Sequence, residues 1–300
     1  MPIDRGRALG AELPSRTSSW SDHHVLLYHL AVGAGIPATS EQELTYALER
    51  NLEVLPSFGV VAPGIGPREP QQQPPKGGGF SGYPGVDIDL AAILHGGQEI
   101  EIHRPIPVEA TVSTTGRLVD IMDKGKAAVL VTEAQSVDVA DGTPLFTTRS
   151  SIFVRGEGGF GGPRGESSSV PAPDREPDLV TESPTLEQQA LLYRLCGDRN
   201  PLHADPEVAR AAGFDRPILH GLCSYGMVCK AVVDVALDGD RSRLARYGAR
   251  FAGIMLPGET IVTKIWNEAD RLIVEADSKE RGAPVLRDAF VELSDGNAGR

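Results

Sequence analysis

Three side chains that can hold or move protons lie close together in one short segment of the sequence. Residues 197 to 206 read GDRNPLHADP, which places Asp198, Asn200 and His203 around Pro201. A proline restricts the residue before it to extended angles, so this segment is a loop in which side chains two to five positions apart can converge. With ordinary pKa values of roughly 3.9 for Asp and 6.5 for His, the pair offers an ionised acceptor and a group that titrates near neutrality. This combination suits the activation of a water molecule, which the Asn200 amide can help to orient.

The same residue types also have a purely structural use. Asp and Asn are common in turns and at helix N-termini, where their side chains accept hydrogen bonds from free backbone N–H groups. In that interpretation residues 198–201 form only a turn, and His203 and Asp205 cap a helix that begins in PEVARAAGF, residues 206–214. The loop alone leaves both interpretations open.

A second motif follows the loop and favours a catalytic role. Residues 221 to 237, GLCSYGMVCKAVVDVAL, carry apolar residues at helical spacing and predict a long buried helix that begins at Gly221. The first backbone N–H groups of a helix have no partner within it, and the helix dipole adds a partial positive charge there. Such an N–H can stabilise a developing oxyanion. An acid–base loop followed by this donor is typical of an enzyme.

The chain divides near its middle. Residues 156–178 are rich in Gly, Ser and Pro and lack apolar periodicity, which predicts a linker between residues 1–155 and 179–300. Each half contains a helical segment or two, followed by alternating, strand-like segments joined by turns such as DKG at 123–125 and NEAD at 267–270. This order predicts an α+β fold with antiparallel sheets.

Two short echoes relate the halves. LLYHL at 26–30 resembles LLYRL at 191–195, and ILHG occurs both at 93–96 and at 218–221. Two echoes in the same order favour an internal duplication. The long helix has no counterpart in the first half, where 13 of the 24 residues from Ala62 to Gly85 are Gly or Pro. We therefore expect the first half to leave part of its sheet uncovered, as an apolar trough.

Composition and charge argue against several classes of partner. A formal net charge of -12 disfavours nucleic-acid binding, which usually needs a basic face. No apolar run approaches the roughly 20 residues that span a bilayer, and the N-terminus has no signal-like apolar region, so we expect a cytoplasmic protein with no membrane partner. The three cysteines, Cys196, Cys223 and Cys229, lack the paired spacing of a disulfide framework or a zinc site.

Three other features have simple interpretations. His23 and His24 are adjacent near a helix start and do not point the same way, so a solvated surface is preferred to a metal site. Residues 156–165, GEGGFGGPRG, lack the GK[ST] ending of a phosphate-binding loop. Cys196 is interpreted as a small buried filler, because no base is assigned to it. We expect no metal and no cofactor.

The loop and the segment after it resemble the signature of a known family. YRLCGDRNPLH (193–203) followed by GFDRPILHGLCSYG (213–226) is similar to the (R)-specific enoyl-CoA hydratases, the MaoC-like or hydratase 2 family. SRTSSW, LPSFGVV, LHGGQEIEIHRPIP, DKGKAAV and GGFGG extend the likeness over nearly the whole chain, in the two-domain form found in peroxisomal multifunctional β-oxidation enzymes. The resemblance implies a double hot-dog fold of two antiparallel sheets. It also implies a long central helix retained in the C-terminal repeat and an N-terminal repeat that accommodates the acyl chain.

The resemblance further implies an activity and its residues. The activity is syn addition of water to a trans-2-enoyl-CoA, giving a (3R)-3-hydroxyacyl-CoA in the β-oxidation of fatty or steroid side-chain acyl groups. Asp198 and His203 would grip one water with the support of Asn200, and Gly221 would donate its N–H to the thioester oxygen. Which of Asp198 and His203 is the base stays open. The N-terminal repeat would be non-catalytic, since Gly33 stands where Asp198 stands in the other repeat.

Further residues match positions that contact the acyl-CoA in that family, and they are His95, Gly96, Lys124 and Phe251. Lys124 is equally explained as a solvated hairpin lysine, and Phe251 as a core residue. Three rival functions remain: a 3-hydroxyacyl-thioester dehydratase of fatty-acid elongation, a hot-dog thioesterase, and a non-catalytic acyl-CoA binding subunit. One-domain hydratases pair as dimers, so this chain is expected to be a pseudo-dimer by itself or to form a homodimer.

Overall fold

One antiparallel sheet of ten strands dominates the computed structural model, which describes residues 3–65, 83–88, 92–165 and 169–294. Its strands form where β-branched and aromatic residues alternate with polar ones, which gives each strand one face for the core. The strands are β1 (Arg16–Trp20), β2 (Ile93–Ile102), β3 (Ala110–Asp123), β4 (Ala127–Asp138), β5 (Pro144–Arg155), β6 (Leu179–Pro184), β7 (Leu244–Phe251), β8 (Thr260–Asn267), β9 (Arg271–Ser278) and β10 (Ala283–Leu293).

The two halves of the chain build the sheet in the same way. The strand order is β1-β3-β4-β5-β2-β7-β10-β9-β8-β6, so each half has a three-stranded meander between its first and second strands. Strands β2 and β7 pair at the centre and join the two expected sheets into one. The predicted α+β antiparallel fold is confirmed, and the repeated order is what an internal duplication predicts. The boundaries at residues 155 and 178 stay a prediction.

Six α-helices accompany the sheet within the described ranges. They are α1 (Arg5–Ala8), α2 (Asp22–Ala31), α3 (Glu41–Ala47), α4 (Gln189–Tyr193), α5 (Pro206–Ala211) and α6 (Gly221–Ala236). The long helix predicted at Gly221 is confirmed as α6, which packs against β6, β7 and β8. None of the helices in these ranges combines the length and the apolar character that a bilayer crossing requires.

The echoed segments meet in the core. The rings of Tyr28 on α2 and Tyr193 on α4 lie 6.3 Å apart, and the Gln189 side chain donates a hydrogen bond of 2.7 Å to the carbonyl oxygen of Ala31. The second echo differs between the halves, because ILHG at 93–96 lies in β2 whereas its copy ends at the start of α6. The first half thus runs directly into a strand where the second half inserts a helix.

The expected apolar trough is partly filled. Residues 66–82 of the Gly- and Pro-rich segment lie outside the described residues. Just before them, a 3-10 turn at Pro56–Val60 packs onto the sheet, with Phe58 fully buried. A Cβ at Gly59 would lie only 2.6 Å from Cδ1 of Ile100, so the missing side chain lets the backbone approach the sheet closely. A short turn therefore covers a surface that the pattern of apolar residues had left open.

A buried histidine ties α2 to the segments that follow it. The His29 side chain is fully buried, its Nδ1–H donates to the carbonyl oxygen of Tyr46 at 2.9 Å, and its Nε2 accepts from the N–H of Leu55 at 3.0 Å. Burial lowers the pKa of His29 to about 4. The ring is therefore neutral in the folded protein at neutral pH and satisfies two backbone groups at once.

We expect His29→Ala to lower the free energy of unfolding by about 2 to 4 kcal/mol, because two buried backbone groups lose their partners. The pKa of His29 rises from about 4 in the folded chain to its ordinary 6.5 on unfolding. The stability that the neutral ring contributes is thus fully present at pH values above its unfolded-state pKa of 6.5. It is lost as the pH falls towards the folded-state pKa of about 4. Urea unfolding should show the gap between wild type and variant narrowing by about 2 kcal/mol from about pH 7 to about pH 5.

The control is His23→Ala, which removes an exposed histidine from the first turn of the same helix. Its urea midpoint should match that of the wild type at both pH values. A gap for His29→Ala that stays constant with pH would contradict the neutral, backbone-bridging role of His29.

Candidate active site

Side chains of the loop between α4 and α5 determine its shape. A 3-10 turn at Arg194–Cys196 continues α4 and ends at Gly197, whose φ of 128° favours glycine. Oδ1 of Asp198 then accepts a hydrogen bond of 2.9 Å from the N–H of Asn200, and Oδ1 of Asn200 accepts one of 3.0 Å from the N–H of Leu202. Asn200 precedes a proline and is extended, as predicted. The loop is thus held in one conformation by its own Asp and Asn.

The structural interpretation of the loop therefore holds for its acids and amide but fails for its histidine. Asp205 caps α5 by accepting from the N–H of Glu207 at 2.8 Å. His203 caps no helix: it is buried, and its Nδ1 lies 2.9 Å from the carbonyl oxygen of Ile218. Because a carbonyl only accepts, Nδ1 carries the proton, and the neutral ring presents a lone pair at Nε2. His203 is therefore a proton acceptor with a fixed tautomer.

A carboxylate and two imidazoles meet at this loop. The carboxylate of Asp198 and one ring nitrogen each of His203 and His220 lie within 4.8 Å of one another. Two groups bonded to the same water, each about 2.8 Å from its oxygen, are about 4.6 Å apart. The separation thus fits one bridging water. The predicted pair is brought together, and the structure adds His220, which sequence reasoning did not single out although it precedes Gly221 in the echoed ILHG.

Burial keeps both imidazoles of this trio neutral. Desolvation lowers the pKa of His203 below its ordinary 6.5 and that of His220 to about 4. The two rings stack, with centroids 3.8 Å apart and planes at 28°. Nε2–H of His220 donates to the backbone carbonyl of Asp198 at 3.3 Å. At neutral pH His203 is thus free to accept a proton, beside the acidic side chain of Asp198.

The start of α6 lies beside the trio. Gly221 is the first residue of the helix, so its N–H has no acceptor within the helix. Gly221 as a residue is exposed. A Cβ at Gly221 would lie 3.1 Å from two ring atoms of Phe251, so the glycine also keeps space in front of that ring. The first N–H of α6 and an apolar ring therefore lie next to Asp198 and His203.

Residues from the first half of the chain reach the same place. The ring centroid of His95 lies 4.8 Å from that of Phe251, and its Nε2 lies 3.0 Å from Oγ of Ser150. Gly96 is the extra residue of a β-bulge in β2, a feature that bends a strand locally. Burial lowers the pKa of His95 to about 4, while the nearby charge of Asp198 acts in the opposite direction. The central β2–β7 pair thus brings both halves to one site.

Comparison with known proteins places the chain in a family. Residues 18–156 match the MFE-2 hydratase 2 N-terminal domain, and residues 168–288 match the MaoC like domain. The chain belongs to the MaoC-like hydratase 2 family. The resemblance seen in the sequence is confirmed.

Individual members of the family show how closely the chain is related to them. It is 48% identical over 286 residues to an enoyl-CoA hydratase of Mycobacterium tuberculosis, covering 95% of this chain and 97% of that protein. It is 39% identical over 273 residues to 3-hydroxyacyl-thioester dehydratase Y of the same bacterium, covering 89% and 88%. The crystal structure of a MaoC-like dehydratase from Phytophthora capsici matches with a TM-score of 0.85 and 31% identity, over 98% of this chain and 99% of that chain. The double hot-dog fold is confirmed.

One residue predicted from the hydratase 2 resemblance lies away from the others. Lys124 is in the exposed turn between β3 and β4, and its Nζ donates to the carbonyl oxygen of Arg164. The strand register places this turn at the same end of the sheet's strands as the start of β2. The two are separated by two strand positions, because β5 lies between β4 and β2. Contact between Lys124 and a bound acyl-CoA stays a prediction.

Two simple interpretations agree with the geometry. Cys196 is buried, and burial raises the pKa of its thiol to about 12, so it is a filler beside the loop and not a nucleophile. Nδ1 of His24 accepts from the N–H of Ser21 at 3.2 Å, which makes this histidine part of the N-terminal cap of α2. His23 is exposed beside it.

The trio of Asp198, His203 and His220 also offers ligand types that bind transition metals. Its rings, however, are stacked, with an angle of 28° between their planes. Stacked rings direct their nitrogens side by side, whereas tetrahedral coordination needs them to converge on one point. We interpret the trio as an acid–base site, and the expectation that this hydratase-type site needs no metal stays a prediction.

Proposed function

We propose that this protein adds water to the double bond of a trans-2-enoyl-CoA and forms the (3R)-3-hydroxyacyl-CoA. The observation that carries the proposal is the convergence of Asp198 and His203 within one water's reach, next to the first N–H of α6. The 48% identity to an enoyl-CoA hydratase over almost the full length supports the same substrate class. The physiological setting that fits is the β-oxidation of fatty or steroid side-chain acyl groups.

The pair holds and orients the nucleophile. The lone pair at Nε2 of His203 and the Asp198 carboxylate each accept one hydrogen from the same water. Both hydrogens of the water are then engaged, and its oxygen lone pairs are left to face C3 of the enoyl group. His203 is held by Ile218 and Asp198 by the backbone of Asn200, so neither group has to reorganise before the reaction.

The addition proceeds through charge on the thioester oxygen. As the water oxygen bonds to C3, one member of the pair takes a proton from it, and the C2–C3 double-bond electrons move towards the thioester carbonyl. The N–H of Gly221 then donates to the oxygen that becomes negative, an interaction typically worth about 3 kcal/mol in such reactions. A proton from the same pair reaches C2, which completes addition of H and OH to one face and regenerates the site.

The assignment of the binding residues is part of the same proposal. Phe251, with His95 against it, forms an apolar boundary next to Gly221, where the start of the acyl chain would lie. The bulge at Gly96 brings the N-terminal half into this boundary. Lys124 would reach a phosphate or pantetheine oxygen of CoA as a point charge. A homodimer and a cytoplasmic location are further expectations for this enzyme.

The direct test is hydration of a panel of trans-2-enoyl-CoAs with short, long and sterol-like acyl groups. We expect the enoyl-thioester absorbance to fall without release of free thiol, which a thiol reagent reports in the same cuvette. Thiol release would instead indicate a thioesterase. Binding without either change would indicate a non-catalytic acyl-CoA subunit and would refute the proposal.

A second candidate is the reverse reaction, dehydration of a 3-hydroxyacyl thioester in chain elongation. The 39% identity to a 3-hydroxyacyl-thioester dehydratase favours it. The same pair would remove the C2 proton and protonate the leaving hydroxyl. Comparing kcat/KM for CoA thioesters and carrier-protein thioesters separates the two settings, since β-oxidation requires activity on CoA thioesters.

A further inference from the structure

His220 contacts both members of the acid–base pair. It is 1% exposed and lies at the N-cap of α6, where its carbonyl oxygen accepts from the N–H of Cys223 at 3.0 Å and from that of Ser224 at 3.3 Å. One face of its ring stacks on His203, and its Nε2–H donates to the backbone of Asp198. A single ring, anchored at the start of α6, thus contacts both His203 and Asp198.

The stack restricts how the His203 ring can move. Its Nδ1 edge is held by the carbonyl of Ile218, and its face lies 3.8 Å from the centroid of His220. His220 is itself packed against Tyr193, whose ring centroid is 5.0 Å away and whose hydroxyl is buried without a hydrogen-bond partner among the described residues. Rotation of the His203 ring would therefore require the whole aromatic column to shift, so the direction of Nε2 is fixed.

The bond to Asp198 fixes the other side of the site. Asp198 lies in an exposed loop. Its side chain accepts a hydrogen bond from the N–H of Asn200, and its backbone carbonyl accepts one from His220. Because Nε2 of His220 donates, Nδ1 is an acceptor in the neutral ring, and it has no partner among the described residues. The neutral His220 ring thus donates a hydrogen bond to the loop and places no positive charge beside the Nε2 lone pair of His203.

We infer that His220 is a positioning residue, which holds Asp198 and His203 at the separation that one water bridges. The inference rests on the proposed function for its catalytic consequence, but its structural content is independent of turnover. Without the ring, His203 would gain solvent and rotational freedom, and the Asp198 loop would lose its tie to α6. Misplacement of catalytic groups by about 1 Å typically costs on the order of 100-fold in rate.

The test measures the His203 ring itself. Nitrogen-15 NMR of the seven histidines, assigned with a His203→Gln spectrum, reports the tautomer and titration of His203 in wild type, His220→Ala and His220→Phe. The charged groups acting on these rings are Asp198, which raises both pKa values, and Arg194, which lowers that of His220. In His220→Ala we expect the pKa of His203 to rise towards 6.5 and its single tautomer to become a mixture. In His220→Phe the stack is kept, so both should stay near the wild-type result.

Kinetics supply the second readout. His220→Ala should lower kcat about 10- to 100-fold with KM nearly unchanged, and the acid limb of its pH profile should move upwards with the pKa of His203. His220→Phe should keep the acid limb and lose less in kcat. His29→Ala is the control for a loss of stability alone, and its kcat per folded molecule should equal that of the wild type.

Unchanged titration and tautomer of His203 in His220→Ala would overturn the inference, whether or not the wild type hydrates an enoyl-CoA. Inactivity of the wild type on every enoyl-CoA would instead refute the proposed function and leave the NMR result to decide the role of His220. A rate loss in His220→Ala with no change at His203 would assign His220 only a structural role.

Discussion

Asp198→Asn and His203→Gln are each expected to lower kcat for enoyl-CoA hydration about a thousandfold or more. Asn keeps the shape of Asp but cannot take a proton, and Gln cannot exchange a proton near neutral pH. Both changes leave the water with only one competent partner. Circular dichroism and the urea midpoint should stay close to those of the wild type, because Asn also supports the turn that Asp198 makes and the His203 site stays filled.

The double variant should be about as slow as either single variant. Asp198 and His203 act on one water, and residues that act as a unit show strongly non-additive losses. Independent contributions would multiply instead and give about a millionfold loss or more, beyond the detection of a standard assay. Multiplied losses would contradict the shared water, and full activity of either single variant would exclude that residue.

Asp205→Asn is the matched control for Asp198→Asn. Asp205 lies in the same loop and caps α5 by accepting from backbone N–H groups, much as Asp198 accepts from Asn200. Asn is as good a cap as Asp, so the helix should be unaffected. We expect the hydratase rate of this variant to lie within about twofold of the wild type, since Asp205 is not part of the trio.

Gly221→Pro is expected to lower kcat about 100- to 1,000-fold, by removing the N–H that stabilises the thioester oxyanion. Proline suits the first position of a helix, where no intrahelical hydrogen bond is lost. The preceding residue, His220, has φ of −59° and ψ of 133°, which are angles that proline favours in its predecessor. The variant should therefore fold and keep α6, as far-ultraviolet circular dichroism can check.

Gly221→Ala separates the donor from the added bulk. It keeps the N–H, while its Cβ meets the Phe251 ring at 3.1 Å, as the proline ring would. We expect a loss of about tenfold or less from this crowding. Equal losses in the Ala and Pro variants would show that space in front of Phe251 matters and that the N–H does not.

Local patterns were sufficient to predict the long helix of the second half and the strand meander of the first. Helix α6 has a continuous apolar stripe, and it begins at Gly221 as expected from the sequence. The strands from Ala110 to Arg155 alternate clearly and are joined by the predicted DKG turn. The loop at Asp198 was predicted because a proline excludes a helix and the residue types around it are chemically distinctive.

Features that depend on pairing across the chain were not predicted. The edge strands β1 and β6 are short and polar on one side, so their sequences carry little strand signal apart from their partners β3 and β8. The turn that carries Gly59 approaches the sheet closely only because Gly59 has no Cβ to collide with the distant residue Ile100. His220 was missed for the same reason, since its stack on His203 bridges 17 positions and is visible only in three dimensions.

The measurement that tests the central claim most directly is hydration of a trans-2-enoyl-CoA in heavy water, with chiral and NMR analysis of the product. If Asp198 and His203 hold one water on a single face of the bound thioester, the product is the (3R)-3-hydroxyacyl-CoA with one deuterium at C2, added to the same face as the hydroxyl. A (3S) product, or deuterium delivered to the opposite face, would contradict that arrangement.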